Sequence, residues 1–386
     1  MTADNIGLNK GILLVANYAS DVGYAWWLME SFWIHINKLY TDQNTVFLCY
    51  PRVNKIPDSI KNTSIATREL NFSTSKSSLL RQIQFIKKHK IDCIYYSDQP
   101  MLHWRYAIFR CFGVRKIIVH DHTPGMRTRP TGIKKLLKTL LIRAPWITAD
   151  AYIGETPFIQ SRGEIVGCIP KYKCFNAPNG IPSDQPDSKA NVHEIFDIPI
   201  TRQIMIATGR AHSVKGIDFA LRCLAKVVLQ DKENSLHFLF CGDGPHLDEL
   251  KNLSRELDIE GHVTFAGKRQ DVKNILPNCN FAFHPSKAEV GYSLSILEYM
   301  QAKLPVVVSD NPSVCGATMH NENGLIYKEN DLGAACDAIK KLLQNSAATE
   351  LMGLRARESF RESYQIEDTH AALTNIFNKT ISLQKK

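Results

Sequence analysis

The chain alternates short apolar runs with segments of helical periodicity along most of its length. The apolar runs are five to seven residues long and rich in β-branched residues, which is typical of parallel strands buried on both faces. Between them, apolar residues recur at spacings of three and four, as over 217–228, which predicts amphipathic helices. The ten predicted strands are 11–17, 45–50, 92–97, 116–121, 151–155, 203–209, 236–242, 262–267, 281–286 and 305–310.

This alternation predicts an α/β protein built from two successive Rossmann-like, doubly wound domains that face a cleft. A stretch rich in Pro, Ser and Asp, 180–199, interrupts the pattern and is interpreted as the linker. The predicted domains are 1–188 and 189–365, and 366–386 is a C-terminal helix that could pack back on the first domain. Sheets of this kind bind ligands beyond the carboxyl ends of their strands, so we expect the chemistry in the loops that follow them.

The charge is divided unequally between the two halves. The whole chain has 47 basic and 38 acidic residues, a formal charge of +9. Residues 1–190 hold 25 basic and 14 acidic residues, whereas residues 191–386 hold 22 and 24. All of the excess positive charge therefore belongs to the first half.

The cysteines and the termini bear on the compartment. The ten cysteines are scattered singly, and no two have the CxxC spacing of zinc or redox motifs. Free thiols of this kind are typical of a reducing cytosol. We find no signal peptide and no run of 18 apolar residues, so the expected location is cytoplasmic.

Two segments of the second half carry candidate chemistry. In ATGRAHSVKGIDFAL, Arg210 and Lys215 offer cations to phosphate oxygens, and Gly216 and the following helix add backbone N–H groups. In HPSKAEVGYSLSILEYM, Glu289 precedes a turn of small residues and Glu298 lies in the next helix, where carboxylates can accept hydrogen bonds from sugar hydroxyls. The alternative for each segment is a set of solvated charges near a helix N-terminus.

In this order and separation, the two segments resemble glycosyltransferase family 4. The family pattern, G-R-x(n)-K-G followed by PSxxE...LExM..G.PVV, is similar to GRAHSVKG and PSKAEVGYSLSILEYMQAKLPVV, and FLFCGDGPHLDEL and VTFAGKRQDV agree with it. The resemblance is strong over about 170–375 and mostly topological over the first 165 residues. It implies a GT-B fold and a retaining transferase that uses a nucleotide sugar, most simply a UDP- or GDP-linked one, without a cofactor.

Residue roles follow from this resemblance. It makes Arg210 and Lys215 the clamp on the donor diphosphate, places Glu289 at the donor sugar and Glu298 at the ribose hydroxyls. The remaining donor-side residues that it implies are Gly216, Lys268, Arg269, Ser293 and Leu294. Two positions depart from the family: eight residues separate the two glutamates where the family has seven, which puts Val290 at the expected place, and Lys303 stands where a glycine is expected.

The first half supplies weaker candidates. Gly23 in the loop after the first strand could let backbone approach a phosphate or the acceptor, and Asp21 could contact the acceptor; their alternatives are a helix-entry turn and an N-cap. The tryptophans of the next helix, Trp26, Trp27 and Trp33, are interpreted as core or interface. At the end of KIIVHDHTPG, His120 matches the family histidine that contacts the transferred sugar, with His122 as its rival and a structural role as the alternative.

A basic segment concentrates the charge of the first half. Residues 105–143 contain ten basic residues and one acid. Within it, GIKKLLKTLLIR puts five apolar residues on one helical face with lysines beside them. Such a helix can lie on an anionic bilayer, at the inner face of the membrane, or its apolar stripe can pack on the sheet. No recognised motif supports nucleic acid, which we exclude.

Together these patterns predict a glycosyltransferase that moves a sugar from a nucleotide diphosphate to the hydroxyl of a carbohydrate or lipid-linked acceptor, in cell-surface polysaccharide or glycolipid synthesis. No DxD motif is present, so we expect no metal site and assign the work of a divalent ion to Arg210 and Lys215. Two alternatives stay open. One is a nucleotide-sugar enzyme without an acceptor, such as an epimerase, and the other is a non-catalytic nucleotide-sugar-binding subunit, which the altered glutamate spacing would favour.

Overall fold

The computed structural model describes residues 11–21, 26–41, 44–183 and 191–382. These residues form two compact units. The first contains the described residues of 1–123, 127–178 and 369–386, and the second those of 124–126 and 179–368.

The first unit is built on a parallel sheet. Its order is β3-β2-β1-β4-β5-β6-β7, so the chain starts at the centre, runs to one edge and then crosses to the other side between β1 and β4. Ligands of doubly wound sheets bind at such a switch point. The strands are β1 Gly11–Val15, β2 Val46–Tyr50, β3 Ala66–Glu69, β4 Ile91–Ser97, β5 Lys116–Asp121, β6 Ala151–Gly154 and β7 Cys174–Asn176.

Helices cover this sheet. Trp33 is fully buried and packs edge-on against Tyr50, as expected for a core residue, whereas Trp27 is partly exposed and the side chain of Trp26 lies outside the described residues. The helices are α1 Trp26–Tyr40, α2 Asp58–Lys61, α3 Lys76–Lys88, α4 Arg105–Cys111, α5 Gly132–Leu141 and α6 Pro157–Ile165.

The second unit repeats this plan with a parallel sheet in the order β10-β9-β8-β11-β12-β13. Its switch point lies between β8 and β11. Phe238 and Phe240 belong to one core and Leu239 and Cys241 to another, because successive side chains of a strand point to opposite faces. The strands are β8 Gln203–Thr208, β9 Leu236–Cys241, β10 Val263–Gly267, β11 Phe281–His284, β12 Val306–Ser309 and β13 Gly324–Tyr327.

Helices lie on both faces of the second sheet. The first face packs mainly on α8, α9 and α12, and the second on α10, α11 and α13. Their bounds are α7 Val192–Ile195, α8 Ile217–Ala225, α9 Leu247–Glu256, α10 Val272–Ile275, α11 Leu294–Gln301, α12 Leu332–Gln344 and α13 Ser346–Ser363. From Thr369 onward, the last helix, α14 Ile366–Ser382, belongs to the first unit, where Phe377 packs on Tyr40 and Tyr95.

The predicted fold class of two doubly wound α/β domains is confirmed. All ten predicted strands are present, with ends that agree to within two residues. The strands β3, β7 and β13 were missed because they are edge strands of three or four residues. The cysteines are free, and seven are buried. In the part of the chain that the structure describes, no helix is both long and apolar enough for a membrane crossing.

Candidate functional site

The loop after β8 turns sharply into α8. Gly216 caps the N-terminus of α8 with a left-handed φ of +67°. A Cβ on this residue would lie 2.1 Å from the carbonyl oxygen of Pro285, which directly follows β11. Only glycine fits, because the backbone cannot give way as a side chain could. The N-terminus of α8 therefore lies against the end of β11, at the switch point of the second sheet.

Three charged or polar side chains meet beside this turn. Lys215 Nζ donates to Glu289 Oε1 over 2.5 Å, and the same oxygen lies 2.9 Å from His284 Nε2. Glu289 and His284 are buried, whereas the side chain of Lys215 is 26% exposed. We call these three residues the lysine–glutamate cluster. Its carboxylate is shared by two neighbours, while part of the Lys215 side chain stays exposed.

The charge state of Glu289 follows from its surroundings. Burial alone raises the pKa of Glu289, but the hydrogen bond from His284 and the positive charge of Lys215 outweigh burial and lower this pKa to about 2. The carboxylate is therefore ionised at neutral pH. An ionised Glu289 holds the lysine and the histidine in fixed positions.

The helix α11 brings a second N-terminus to the same edge of the sheet. It begins at Leu294, after the buried Ser293. Ser295 Oγ donates to the carbonyl oxygen of Thr208 over 3.3 Å, and the Thr208 N–H donates to Tyr299 Oη over 2.7 Å. These bonds tie α11 to the last residue of β8. Ser293 and Leu294 thus lie at a positive helix end close to the lysine–glutamate cluster in sequence and fold.

Glu298 lies in the second turn of α11 and is only partly accessible to solvent. Burial raises the pKa of Glu298 to about 7, and the positive charge of Lys273 opposes that rise. At neutral pH this carboxyl is therefore only partly ionised. Hydroxyl groups that donate to it would favour the ionised form.

The other predicted donor-side cations are more exposed. Arg210 follows β8, and its Cγ lies 2.9 Å from where a Cβ on Gly244 would stand. Arg269 donates to both carboxylate oxygens of Asp271, at 2.8 and 2.5 Å. Since this guanidinium is engaged with Asp271, the backbone of the loop around Lys268 is the group that we expect a ligand to meet.

In the first unit, the loops after β1 and β4 join at the switch point. Gln99 Nε2 donates to Asn17 Oδ1 over 3.1 Å. Asp21 is exposed, and its Oδ1 accepts a hydrogen bond from Asn54 Nδ2 at 2.8 Å. Gly23 lies outside the described residues.

Both candidate histidines lie in one cluster at the ends of the neighbouring strands. His120, in β5, is fully buried, and its Nδ1 lies 2.6 Å from Tyr95 Oη. The ring of His122 is 4.2 Å from that of His120, centroid to centroid. His122 Nδ1 lies 3.4 Å from Asp98 Oδ1, and its Nε2 lies 3.5 Å from Glu155 Oε1. The two histidines that the sequence left as alternatives therefore lie in the same cluster.

These two imidazoles differ in charge. Burial lowers the pKa of His122, but the carboxylates of Glu155 and Asp98 outweigh burial and raise that pKa to about 9. Burial lowers the pKa of His120 well below its ordinary value, and the nearby His122 adds to that shift. A cationic and a neutral imidazole thus stand side by side.

The lysine–glutamate cluster lies in a segment that matches a protein-family model. Residues 188–359 match the family model Glycosyl transferases group 1. This match supports a transferase and covers the lysine–glutamate cluster together with α8 and α11.

A curated protein is similar in sequence to part of the chain. The N-acetyl-alpha-D-glucosaminyl L-malate synthase of Bacillus anthracis is 27% identical over 172 residues, which are 45% of this chain and 44% of that protein. The chain thus matches less than half the length of this relative.

Solved structures show the same fold over almost the whole chain. A glycosyltransferase from Rickettsia africae superposes with a TM-score of 0.77 at 15% identity, covering 98% of this chain and 99% of the other. HepE of Anabaena, solved in complex with UDP, gives a TM-score of 0.74 at 15% identity, covering 96% and 99%.

Several residues of these clusters were not found from the sequence. His284, Tyr95, Asp98 and Glu155 all lie at or near the carboxyl ends of parallel strands. That position is the signal that could have found them, because every strand of such a sheet delivers its last residue to the same edge. Of these strand ends in the first sheet, only that of β5 was chosen, because His120 matched the histidine that the family resemblance implies there, with His122 as its rival.

The exposure of α5 decides whether its apolar stripe packs on the sheet. No residue of Gly132–Leu141 is buried, so the interpretation that its apolar stripe packs on the sheet is wrong. Its apolar side chains are between 47% and 77% exposed. We call them, with the exposed cations around them, the α5 surface: Ile133, Leu136, Leu137, Leu140, Leu141, Arg127, Arg129, Lys134, Lys135 and Arg143.

The predicted basic patch over 105–143 is smaller than expected. Arg105 is buried and donates to the carbonyl oxygens of Phe72 and Ser73. Arg110 and Arg115 form ion pairs with Asp150 and Asp92, and Lys116 is buried. These four cations stabilise the fold, which leaves 127–143 as the exposed basic stretch.

Proposed function

We propose that this protein is a retaining glycosyltransferase that moves a sugar from a UDP- or GDP-linked donor to an acceptor hydroxyl. The observation that carries the proposal is the lysine–glutamate cluster at the switch point of a sheet within the matched segment. Negative charge builds on the diphosphate as the glycosidic C–O bond breaks. Fixed cations and helix N-termini stabilise that charge without having to reorganise.

Lys215 would act on the diphosphate directly. Glu289 holds its ammonium at the turn into α8, and the exposed part of the side chain can contact phosphate oxygens. Arg210 would add a planar guanidinium, and the N–H groups at Gly216 and at Ser293 and Leu294 would complete the cradle. Under this proposal the site needs no metal ion on the donor side.

The other donor contacts follow the family resemblance. Glu289 would face the transferred sugar, Glu298 would accept hydrogen bonds from the ribose hydroxyls, and the loop of Lys268 and Arg269 would lie against the base. The complex of HepE with UDP supports a uridine nucleotide as the first donor to test.

The acceptor would be held by the first unit. His120 would contact the sugar, and Asp21, Gly23 and His122 would line the acceptor or phosphate side. The resemblance alone supports retention of configuration at the sugar.

The α5 surface supports a location at the cytoplasmic face of an anionic membrane. Its five apolar side chains can enter the interface while the neighbouring cations meet anionic headgroups. No acidic residue lies between Asp121 and Asp150 to oppose that attraction. A lipid-linked or growing cell-surface acceptor would be within reach there, which fits polysaccharide or glycolipid synthesis.

The experiment is a transfer assay with donors first selected by thermal shift against UDP-, GDP- and ADP-sugars, because a ligand that binds only the folded protein raises its melting temperature. We expect Lys215→Ala to lower the transfer rate about 100-fold, since a cation aimed at the developing charge is lost. The matched control is Lys251→Ala on α9, which removes a lysine of the same unit.

Four results would contradict the proposal. The first two are that no nucleotide sugar shifts the melting temperature and that Lys215→Ala transfers at the wild-type rate. The third is conversion of the bound donor without any acceptor, which would favour an epimerase. The fourth is binding without any turnover, which would favour a non-catalytic subunit.

A further inference from the structure

A cleft of about 360 Å³ opens on the second unit, at the far end of α11 from the lysine–glutamate cluster. The helix begins close to that cluster and ends at Gln301, which lines the cleft. A helix of eight residues is about 12 Å long, so the two places are distinct. We call this cleft the arginine cleft, and its lining residues are Ser183, Gln301, Arg357, Phe360, Arg361 and Gln365.

Two guanidinium groups supply the charge of this cleft. Arg357 and Arg361 lie four residues apart on α13, so their side chains share one face of the helix. Among the described residues that line the cleft, none is acidic. Burial and the positive charge of Arg361 both lower the pKa of Arg357. The two cations therefore repel each other, and an anion bound between them would offset that repulsion.

The helix dipole explains only one of these two arginines. A basic residue near a helix C-terminus is stabilised by the negative end of the dipole, and Arg361 lies in the last turn of α13. Arg357 lies one turn earlier, where this effect has faded, and it is half-buried. The convergence of both guanidinium groups on one cleft therefore points to an anionic ligand.

Hydrogen bonds hold the other polar walls of the cleft in place. Gln301 Nε2 donates to the carbonyl oxygen of Pro182 over 2.7 Å. Gln365 Nε2 donates to the carbonyl oxygen of Arg361 over 2.5 Å, and its Oε1 accepts a hydrogen bond from Ser183 Oγ. These side chains are thus fixed before a ligand arrives, so binding loses less conformational entropy.

We propose that the arginine cleft binds the phosphate group of a small soluble phosphomonoester. Guanidinium groups recognise phosphate oxygens through paired, charge-assisted hydrogen bonds, and two of them match the nearly doubly negative charge of such a group at neutral pH. The volume leaves room for more than the phosphate, since ligand sites occupy about 300–1,000 Å³. The buried ring of Phe360 adds an apolar wall for the attached group. This site goes beyond the proposed function, because it lies apart from the donor cradle.

The test is isothermal calorimetry of the full-length protein with glycerol 3-phosphate and with inorganic phosphate, at constant ionic strength. Phosphate can also meet the cations of the donor cradle, so the titrations are repeated with Lys215→Ala. We expect one site per chain that persists in Lys215→Ala, and no binding of glycerol. Arg357→Gln and Arg361→Gln should each weaken this site at least about tenfold, because a charge-assisted hydrogen bond is lost. UDP or GDP should bind Arg361→Gln as it binds the wild type, which separates this proposal from the proposed function.

The matched control is Arg355→Gln, an exposed arginine of α13 that is not among the lining residues. It should bind glycerol 3-phosphate as the wild type does. Binding that persists at full affinity in Arg361→Gln overturns the proposal, and this exposed position keeps the test decisive if Arg357→Gln does not fold. Absence of binding by the wild type also overturns it. If Arg361→Gln then reduces sedimentation with vesicles that contain phosphatidic acid, the phosphate belongs to a lipid instead.

Discussion

At the scale of single residues, Lys303 holds a backbone shape that suits glycine. It follows α11 with φ of +64°, and the turn is closed by its own N–H to Met300 and by Leu304 N–H to Tyr299. Left-handed residues at this place after a helix are usually glycine, because a Cβ is strained there. The glycine that the family resemblance led us to expect at 303 thus has a physical reason.

We expect Lys303→Gly to stabilise the protein by up to about 1 kcal/mol, because relief of strain exceeds the entropy that glycine adds to the unfolded chain. The measurement is the free energy of unfolding in urea. Lys328→Gly, at an exposed residue without a left-handed φ, serves as the control and should leave stability equal or lower. A less stable Lys303→Gly protein would disprove the explanation.

The burial of Glu298 links the stability of the fold to pH. Burial raises the pKa of Glu298 from an ordinary value near 4.5 to about 7. Between these two values the folded protein holds a proton that the unfolded chain has lost, so this group makes stability fall as the pH rises. We expect Glu298→Gln to raise the urea midpoint at pH 8 and to change it little at pH 5.

The same substitution should weaken UDP or GDP binding about tenfold at pH 8, since the ribose hydroxyls lose a charged acceptor. In the wild type, affinity should fall as the pH drops below 7, because the carboxyl must be ionised to bind, and the variant should lack this fall. If Glu298→Gln stabilised the protein equally at pH 5 and pH 8, the Glu298 carboxyl would not titrate between these values as expected.

The sequence predicted individual residues where a motif carried them. Lys215, Gly216 and Glu289 were proposed from the chemistry of their loops and given roles by the resemblance, and the structure brings all three together in spite of the extra residue before Glu298. His284 was not found, because its role arises from a contact with Glu289 that spacing alone does not reveal.

At the scale of elements, burial decided what could be predicted. The central strands, which are covered on both faces, give uninterrupted apolar runs and were found, whereas three short edge strands were missed. The edge strand β3, ATRE, has two exposed residues and no apolar run at all. For α5, the sequence showed an apolar stripe but not what covers it, because that depends on distant parts of the chain.

The α5 surface should bind anionic vesicles. We expect the protein to sediment with vesicles that contain phosphatidylglycerol at low salt and less at high salt, because screening weakens the attraction of the cations. Leu136→Ser combined with Leu140→Ser should reduce sedimentation at both salt concentrations, since the apolar contribution is lost. Lys134→Glu combined with Lys135→Glu should reduce sedimentation mainly at low salt.

The control is Leu351→Ser with Leu354→Ser on α13, two exposed apolar residues of the second unit. This variant should sediment as the wild type does. Equal sedimentation of all variants, or none by the wild type, would rule out α5 as the membrane contact.

At the scale of the whole molecule, the net charge of +9 combines two different kinds of cation. Four basic residues of the segment 105–143 lie inside the fold or in ion pairs, and the exposed cations of that segment are concentrated around α5. The second half is nearly neutral overall, yet it places Lys215 at the switch point. Net charge therefore predicted a charged surface but not the lysine–glutamate cluster, which depends on where one lysine is held.

Handling of the purified protein follows from the exposure of α5. Five large apolar side chains on one helix are between 47% and 77% exposed. In a buffer without lipid, two copies can cover them by meeting face to face, so self-association should increase with protein concentration. Mild detergent should restore single copies. The measured oligomeric state would then depend on the lipid or detergent in the buffer.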